Sequence, residues 1–277
     1  MSLLPTLGFF LTAAAAGFLG SLTGLGGGII VIPVLTLVFG VDFHYAAGAG
    51  LITVIATSSG GAVRYLRQGL ADIRIGMFLE TATATGALAG AGLAGAVSGE
   101  SLSAVFGLVV LAAAIPMLRQ GERTDEGGLV GDRLGQTIGL RGRFHDAARE
   151  GWVEYASQRT HLGFAIMIGA GLVSGLLGIG AGVFKVPAMD TAMRLPIKVS
   201  TATSNFMMGV TAASGAAVYF ARGDINPFIA APVALGVLAG ARLGSRLLGR
   251  LCSRTVRRLF VGVLVVAAVR MMLEGVM

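Results

Sequence analysis

Apolar residues run through this chain in long stretches separated by short polar breaks. Ten such segments lie at roughly 5–24, 27–40, 45–65, 72–97, 102–118, 161–179, 182–194, 199–220, 225–249 and 256–275. None alternates apolar and polar positions as a half-buried strand would, so each predicts a helix. Most hold the roughly 20 residues that a helix needs to cross ~30 Å of hydrocarbon. The second and seventh, at about 13 residues or ~20 Å, fall short and predict half-helices. Between the fifth and sixth lies a polar connector, Arg119 to Thr160, with seven basic residues and seven of the chain's 14 acidic ones. It predicts a solvated segment. Its Arg143–Tyr155 stretch, aromatic and mixed in charge, fits either a helix on the membrane surface or a loose loop.

Composition places these helices in lipid. Of 277 residues, 55% are apolar and 13% charged, about half the charge of a soluble domain. The 44 glycines suit helices whose backbones approach closely in a bilayer. A pI near 10.5 would fit a nucleic-acid partner only if the basic residues shared one soluble face. Here they stand at the ends of apolar runs. Cys252 is the sole cysteine, which leaves no disulfide within the chain and no cysteine metal site, and His44, His145 and His161 are scattered. No cofactor is expected. The N-terminal apolar run has no basic residue before it, the first in the chain being Arg64, so it reads as a retained helix and not as a signal peptide.

The chain repeats itself. Gly24-Leu-Gly-Gly-Gly28 with Pro33 recurs 154 residues later as Gly178-Ile-Gly-Ala-Gly182 with Pro187. Tyr65 and Gly69 answer Tyr219 and Gly223; after a two-residue gap Asp72-Ile73 answers Asp224-Ile225, and Gly86–Ala91 answers Gly236–Ala241. A collinear series of this kind marks an internal duplication. The expected fold is therefore all-α and integral to the membrane: a first repeat over 1–118, a cytoplasmic connector over 119–160 and a second repeat over 161–277. Five segments per copy is an odd number, so the copies enter the bilayer in opposite senses, as inverted-topology repeats. With the connector in the cytoplasm, 18 of the 21 basic residues fall inside, as the positive-inside rule requires. Arg222 and Arg270 stay outside, and Lys185 lies within a span.

Candidate chemistry gathers at the glycine breaks. Gly26, Gly27 and Gly28, and Gly180, Ala181 and Gly182, open the two short segments, each with a proline expected early in its helix. Free backbone N–H groups and a positive dipole end there suit a small anion. The competing reading is a tight turn between packed helices. Lys185 is the one basic residue deep in an apolar span, and a bound anion or a local acid such as Asp190 would balance its charge. Thr57 and Ser58 in the third segment, and Thr203, Ser204 and Asn205 in the eighth, offer donors that replace an anion's hydration, or they simply bond between helices. Glu80 is a proton-coupling candidate, with a position near the interface or a pairing to Arg74 as the alternatives. No paired-carboxylate, triad or metal constellation falls at membrane depth, which argues against an enzyme.

These motifs resemble those of the sulfite exporter TauE/SafE family, also called the toluene-sulfonate uptake permeases. The resemblance rests on Gly24–Pro33, on Gly178–Pro187, and on Pro196-Ile-Lys-Val-Ser-Thr-Ala-Thr-Ser-Asn-Phe-Met-Met-Gly209 with Tyr219–Ile225, and it covers both halves. It implies an inner-membrane permease for small, often sulfur-containing anions such as sulfite or organosulfonates. Alternating access driven by a proton or sodium ion is the expectation. A passive anion channel and a membrane subunit without transport activity are the rivals.

Overall fold

The computed structural model describes residues 3–23, 26–67, 69–119, 131–146, 151–247 and 253–276. Five helices precede the connector: α1 (Leu3–Thr23), α2 (Gly28–Leu37), α3 (Phe43–Arg67), α4 (Ile73–Ala94) and α5 (Gly99–Arg119). The connector holds α6 (Arg133–Ile138) and two strands, β1 (Arg141–Asp146) and β2 (Gly151–Ala156). The second half runs α7 (Thr160–Leu177), α8 (Gly182–Pro187), a π-helical turn (Ala188–Ala192), α9 (Ile197–Arg222), α10 (Pro227–Leu247) and α11 (Ser253–Val276). All ten expected segments are helical, within a few residues of the boundaries read from sequence.

Local chemistry sets several of these boundaries. Asp72 caps α4 by accepting from the Ile75 N–H at 3.0 Å, and Asn226 accepts from Phe228 N–H at the start of α10, supplying acceptors to otherwise unpaired first-turn donors. Gly178 and Gly223 close α7 and α9 in the left-handed conformation, which costs glycine nothing. The prolines of the short helices do not stand early. Pro33 lies mid-helix in α2 and Pro187 is the last α-helical residue of α8. Proline cannot donate to the preceding turn, and after Pro187 the backbone widens into the π turn.

The connector departs from both forms expected of it. β1 and β2 pair antiparallel, from Arg141 opposite Ala156 to Asp146 opposite Gly151. It is also not merely solvated: Leu140, Phe144 and Tyr155 are buried in one apolar cluster with Ile75 and Leu79 of α4, Met167 of α7 and Val199 of α9. The Tyr155 hydroxyl donates to Asp72 at 2.9 Å; burial, reinforced by the Asp72 charge, holds that phenol well above its usual range. Asp132 caps α6 and receives the Thr160 backbone N–H at 2.8 Å and its hydroxyl at 2.7 Å. Burial would raise its carboxyl, but the bonds from Thr160 and Gly135, with His161 nearby, bring it below its ordinary value.

In the bundle, α1 packs on α10 and α4 on α7; α3 meets α9 at the centre, and α5 meets α11. Glycines carry these contacts. Gly17 sits against the Val237 carbonyl and Gly171 against that of Thr83; Gly240 sits against the Ala14 carbonyl and Gly86 against that of Ile168. Each contact matches its fellow at a constant spacing of 154 residues. The packing thus aligns Gly86 with Gly240, one turn beyond the Gly236 matched by sequence, and Asp72 with Asn226 instead of Asp224. A glycine-x-x-x-glycine stripe is self-similar at one helical turn, so identical letters misplace the register.

Large apolar side chains point outward. Leu11, Met77, Leu108, Phe220, Phe228, Leu235 and Val266 are all more than half exposed, whereas Lys185, Thr53, Thr83, Ser174, Ser200 and Thr211 are fully enclosed. That inversion of a water-soluble surface is the arrangement lipid selects. Among the described residues, Thr160–Leu177 is long and apolar enough to cross a membrane by length and composition. In α4 the apolar run is interrupted by glycine and threonine, of which Thr83, Gly86 and Gly90 are buried against neighbouring helices.

Candidate functional site

The two glycine breaks meet at the centre of the molecule, on α3 and α9. Gly24 and Leu25 lie outside the described residues. Gly26 and Gly180 both have positive φ, 79° and 74°, so the chain makes the same left-handed bend before each short helix. A side chain on Gly28 would strike Val54 of α3, and one on Gly182 would strike Met208 of α9; Gly180 in turn abuts Val54, and Gly26 faces Thr57 and Met208. Val54 and Met208 are themselves 154 residues apart. The next position differs between the copies: Gly27 is right-handed at φ −74°, whereas Ala181 is left-handed at φ 59°, a conformation that costs an L-residue about 1–2 kcal/mol. The Gly27 carbonyl accepts from Ile30 and Val31, and that of Ala181 from Phe184 and Lys185. The N–H groups of Gly28, Ile29, Gly182 and Val183 precede these bonds, at the turn where a helix has no partner of its own to offer.

Lys185, on α8, is enclosed completely, and its partner is an acid that sequence proximity does not suggest. Its Nζ lies 3.1 Å from Oε2 of Glu80, whose side chain is 6% exposed, and it donates to the Thr211 hydroxyl. The Thr211 hydroxyl in turn donates to Glu80 Oε1, and Thr83 donates to Glu80 Oε2 at 2.9 Å. Asp190 is therefore not the partner at Lys185. Nor does Glu80 pair with Arg74, which donates to the Gly139 carbonyl at 3.2 Å. The pair spans the two halves of the chain, Glu80 from the first, Lys185 and Thr211 from the second. In this state the lysine's charge is balanced from within the protein. The positions 154 residues from Glu80, Thr83 and Lys185 are Ala234, Val237 and Val31, so the other half carries no such pair.

Beside this cluster runs a polar seam between α3 and α9. Ser58 donates to the Asn205 carbonyl at 2.7 Å and lies against Gly209. The Thr57 hydroxyl turns back to Thr53 and Val54 carbonyls of its own helix. The Ser204 hydroxyl and the Asn205 side-chain oxygen are buried without a hydrogen-bond partner among the described residues. Such orphans are costly and rare, and they mark places where another polar group belongs. Thr203 stands apart from the rest: its hydroxyl accepts from the Asp72 N–H at 2.9 Å, which ties α9 to the start of α4. Thr83 is the member that site reasoning from sequence left out; Thr211 belongs to the polar side chains of the eighth segment. Thr83 stands three residues after Glu80 on the same helical face, a signal available in the sequence.

An apolar exterior around a buried ion pair and a polar seam is the build of a polytopic membrane protein, and comparison with known proteins makes it a membrane transporter. Residues 9–271 match the family described as sulfite exporter TauE/SafE, and the chain belongs to that family. It is 26% identical over 269 residues to the probable membrane transporter protein YunE of Bacillus subtilis, covering 94% of this chain and 95% of that one. A second relative from the same organism, probable membrane transporter protein YdhB, is 25% identical over 86% of this chain and 87% of its own length. Probable membrane transporter protein ORF9 of a Sinorhizobium species is 24% identical over 96% and 91%. No solved structure matches the chain.

Proposed function

We propose that the protein is a secondary permease for a small anion, with sulfur oxyanions and organosulfonates as its substrate class. The observation that carries this reading is Lys185, a buried cation at the junction of the halves, bonded to Thr211 about two turns along α9 from the orphaned Ser204 and Asn205. The anion binds between Gly26–Gly28 and Gly180–Gly182, taking backbone N–H groups, the Asn205 amide, and the Thr57, Ser58 and Ser204 hydroxyls. Entry of the anion gives Lys185 a second acceptor, in competition with Glu80. A proton taken by Glu80 at that moment keeps the buried charge constant when the anion carries a single negative charge, which couples one proton to each monoanion carried.

Alternating access follows from two inverted halves rocking about this site in the inner membrane, with the connector in the cytoplasm. The reciprocal packing supports the inversion: α1 lies on α10 as α7 lies on α4, with five segments separating each helix from its counterpart.

Proteoliposome flux tests the reading. Sulfite or a sulfonate should enter saturably and exchange with internal solute, and an imposed proton gradient should drive it. Lys185→Met should abolish uptake, and Glu80→Gln should retain exchange while losing response to the gradient. Wild-type KM and rate in Lys185→Met would remove the lysine from the anion site. Flux that rises linearly with concentration, without exchange, would favour a channel.

A further inference from the structure

On the outer face of the bundle an open groove of about 470 Å³ runs between α2 and α11. Its α2 wall includes Ile30, Val34 and Leu37, and its α11 wall includes Gly262, Val266 and Arg270. The last three recur every four residues, so they share one helical face, with Arg270 about 12 Å along the axis from Gly262. Two features of the sequence create the groove. α2 has only 10 residues, about 15 Å of helix, and cannot cover its longer neighbour across ~30 Å of bilayer. Gly262 then leaves the floor bare, with no atom within 4 Å of where a Cβ would stand. At the position 154 residues earlier, α5 carries Leu108, which projects outward and is 59% exposed.

An apolar trough of this length needs hydrocarbon, and its one polar element needs an anion. Arg270 is exposed and has no acidic partner among the described residues. A guanidinium in an apolar wall is costly unless a headgroup or water reaches it, and it binds phosphate through two parallel hydrogen bonds. We propose that the groove is a binding site for an anionic phospholipid, one acyl chain lying along α2 and α11 with the headgroup phosphate on Arg270. Net negative charge is preferred because a zwitterionic headgroup carries its own cation to the phosphate. This assignment stands independently of the solute transported.

Native mass spectrometry of the detergent-purified protein tests it, with chain-matched phosphatidylglycerol and phosphatidylcholine as probes. Wild type should retain phosphatidylglycerol in preference and gain thermal stability from it. Arg270→Gln should lose the preference while still accepting either lipid. Gly262→Leu fills open space, so it should fold as wild type does and lose both adducts. The proposal is overturned if wild type retains the two lipids equally, or if Gly262→Leu retains them undiminished. A wild-type dimer that Gly262→Leu converts to monomer, with lipid binding unchanged, would assign the groove to a second copy of the chain instead.

Discussion

A charge inside a bilayer protein is held by whatever answers it, and at Lys185 the answer is a four-residue cluster in which every hydrogen-bonding atom has a use. Removing one partner leaves the other buried and uncompensated, at a typical cost of about 3–5 kcal/mol. Lys185→Met and Glu80→Met should therefore each lower the thermal stability of the purified protein markedly. The double variant, which replaces the pair with packed apolar chains, should recover much of the loss, and additive losses would show that the pair is not coupled. The lysine itself was legible in the sequence, because a basic residue in mid-span stands out. Its partner was not: Glu80 lies 105 positions away, and only the packing of α4 against α7 and α9 brings it to α8. Sequence distance favoured Asp190 for Lys185 and Arg74 for Glu80, and the fold overrides both.

At the scale of helices, stability comes from backbones in contact. Gly90 of α4 touches the Leu172 carbonyl of α7, whereas Gly92, two residues on, faces open space. Gly90→Ala should destabilise the protein by about 1–3 kcal/mol through overpacking. Gly92→Ala should be neutral, or stabilising by up to about 1 kcal/mol through helix propensity. Thermal melts of the two variants side by side check this. The connector offers a second test. Because the Asp132 carboxyl is held below its ordinary 3.8, its contribution to docking α6 on α7 is complete above that pH and disappears as pH falls through the lowered value. Protection of the Gly135 and Thr160 amides, taken relative to their intrinsic exchange rates, should fall on acidification below about pH 4, and Asp132→Asn should show low protection throughout with little pH dependence. The ten apolar segments were legible because hydrophobic runs state helices plainly. The paired strands were hidden because six-residue strands rich in charge carry little alternation.

The whole molecule reads as two copies of one unit whose chemistry has diverged. The glycine motifs disclosed the duplication, and the close contacts fix its spacing at 154 throughout, a regularity that letter-matching obscured where glycine stripes repeat every turn. Orientation is testable directly. With Cys252 replaced by serine, a cysteine at the exposed Ile138 of α6 should react with a membrane-impermeant maleimide only after the cells are opened. Labelling of intact cells would place the connector outside and reverse the assigned topology. Reciprocal packing also bears on how the chain is made. α1 ends at Thr23, and its principal partner, α10, begins only at Pro227. At 5–20 residues per second a ribosome needs about 10–40 s to supply that partner. Gly8 and Gly20 of α1 meet Phe39 and the Gly26–Gly27 backbone early, but throughout that interval Gly17 lacks the Val237 carbonyl on which it closes. The first half is thus an assembly intermediate of appreciable lifetime, with the α1 surface that α10 later covers left open until the second half is made.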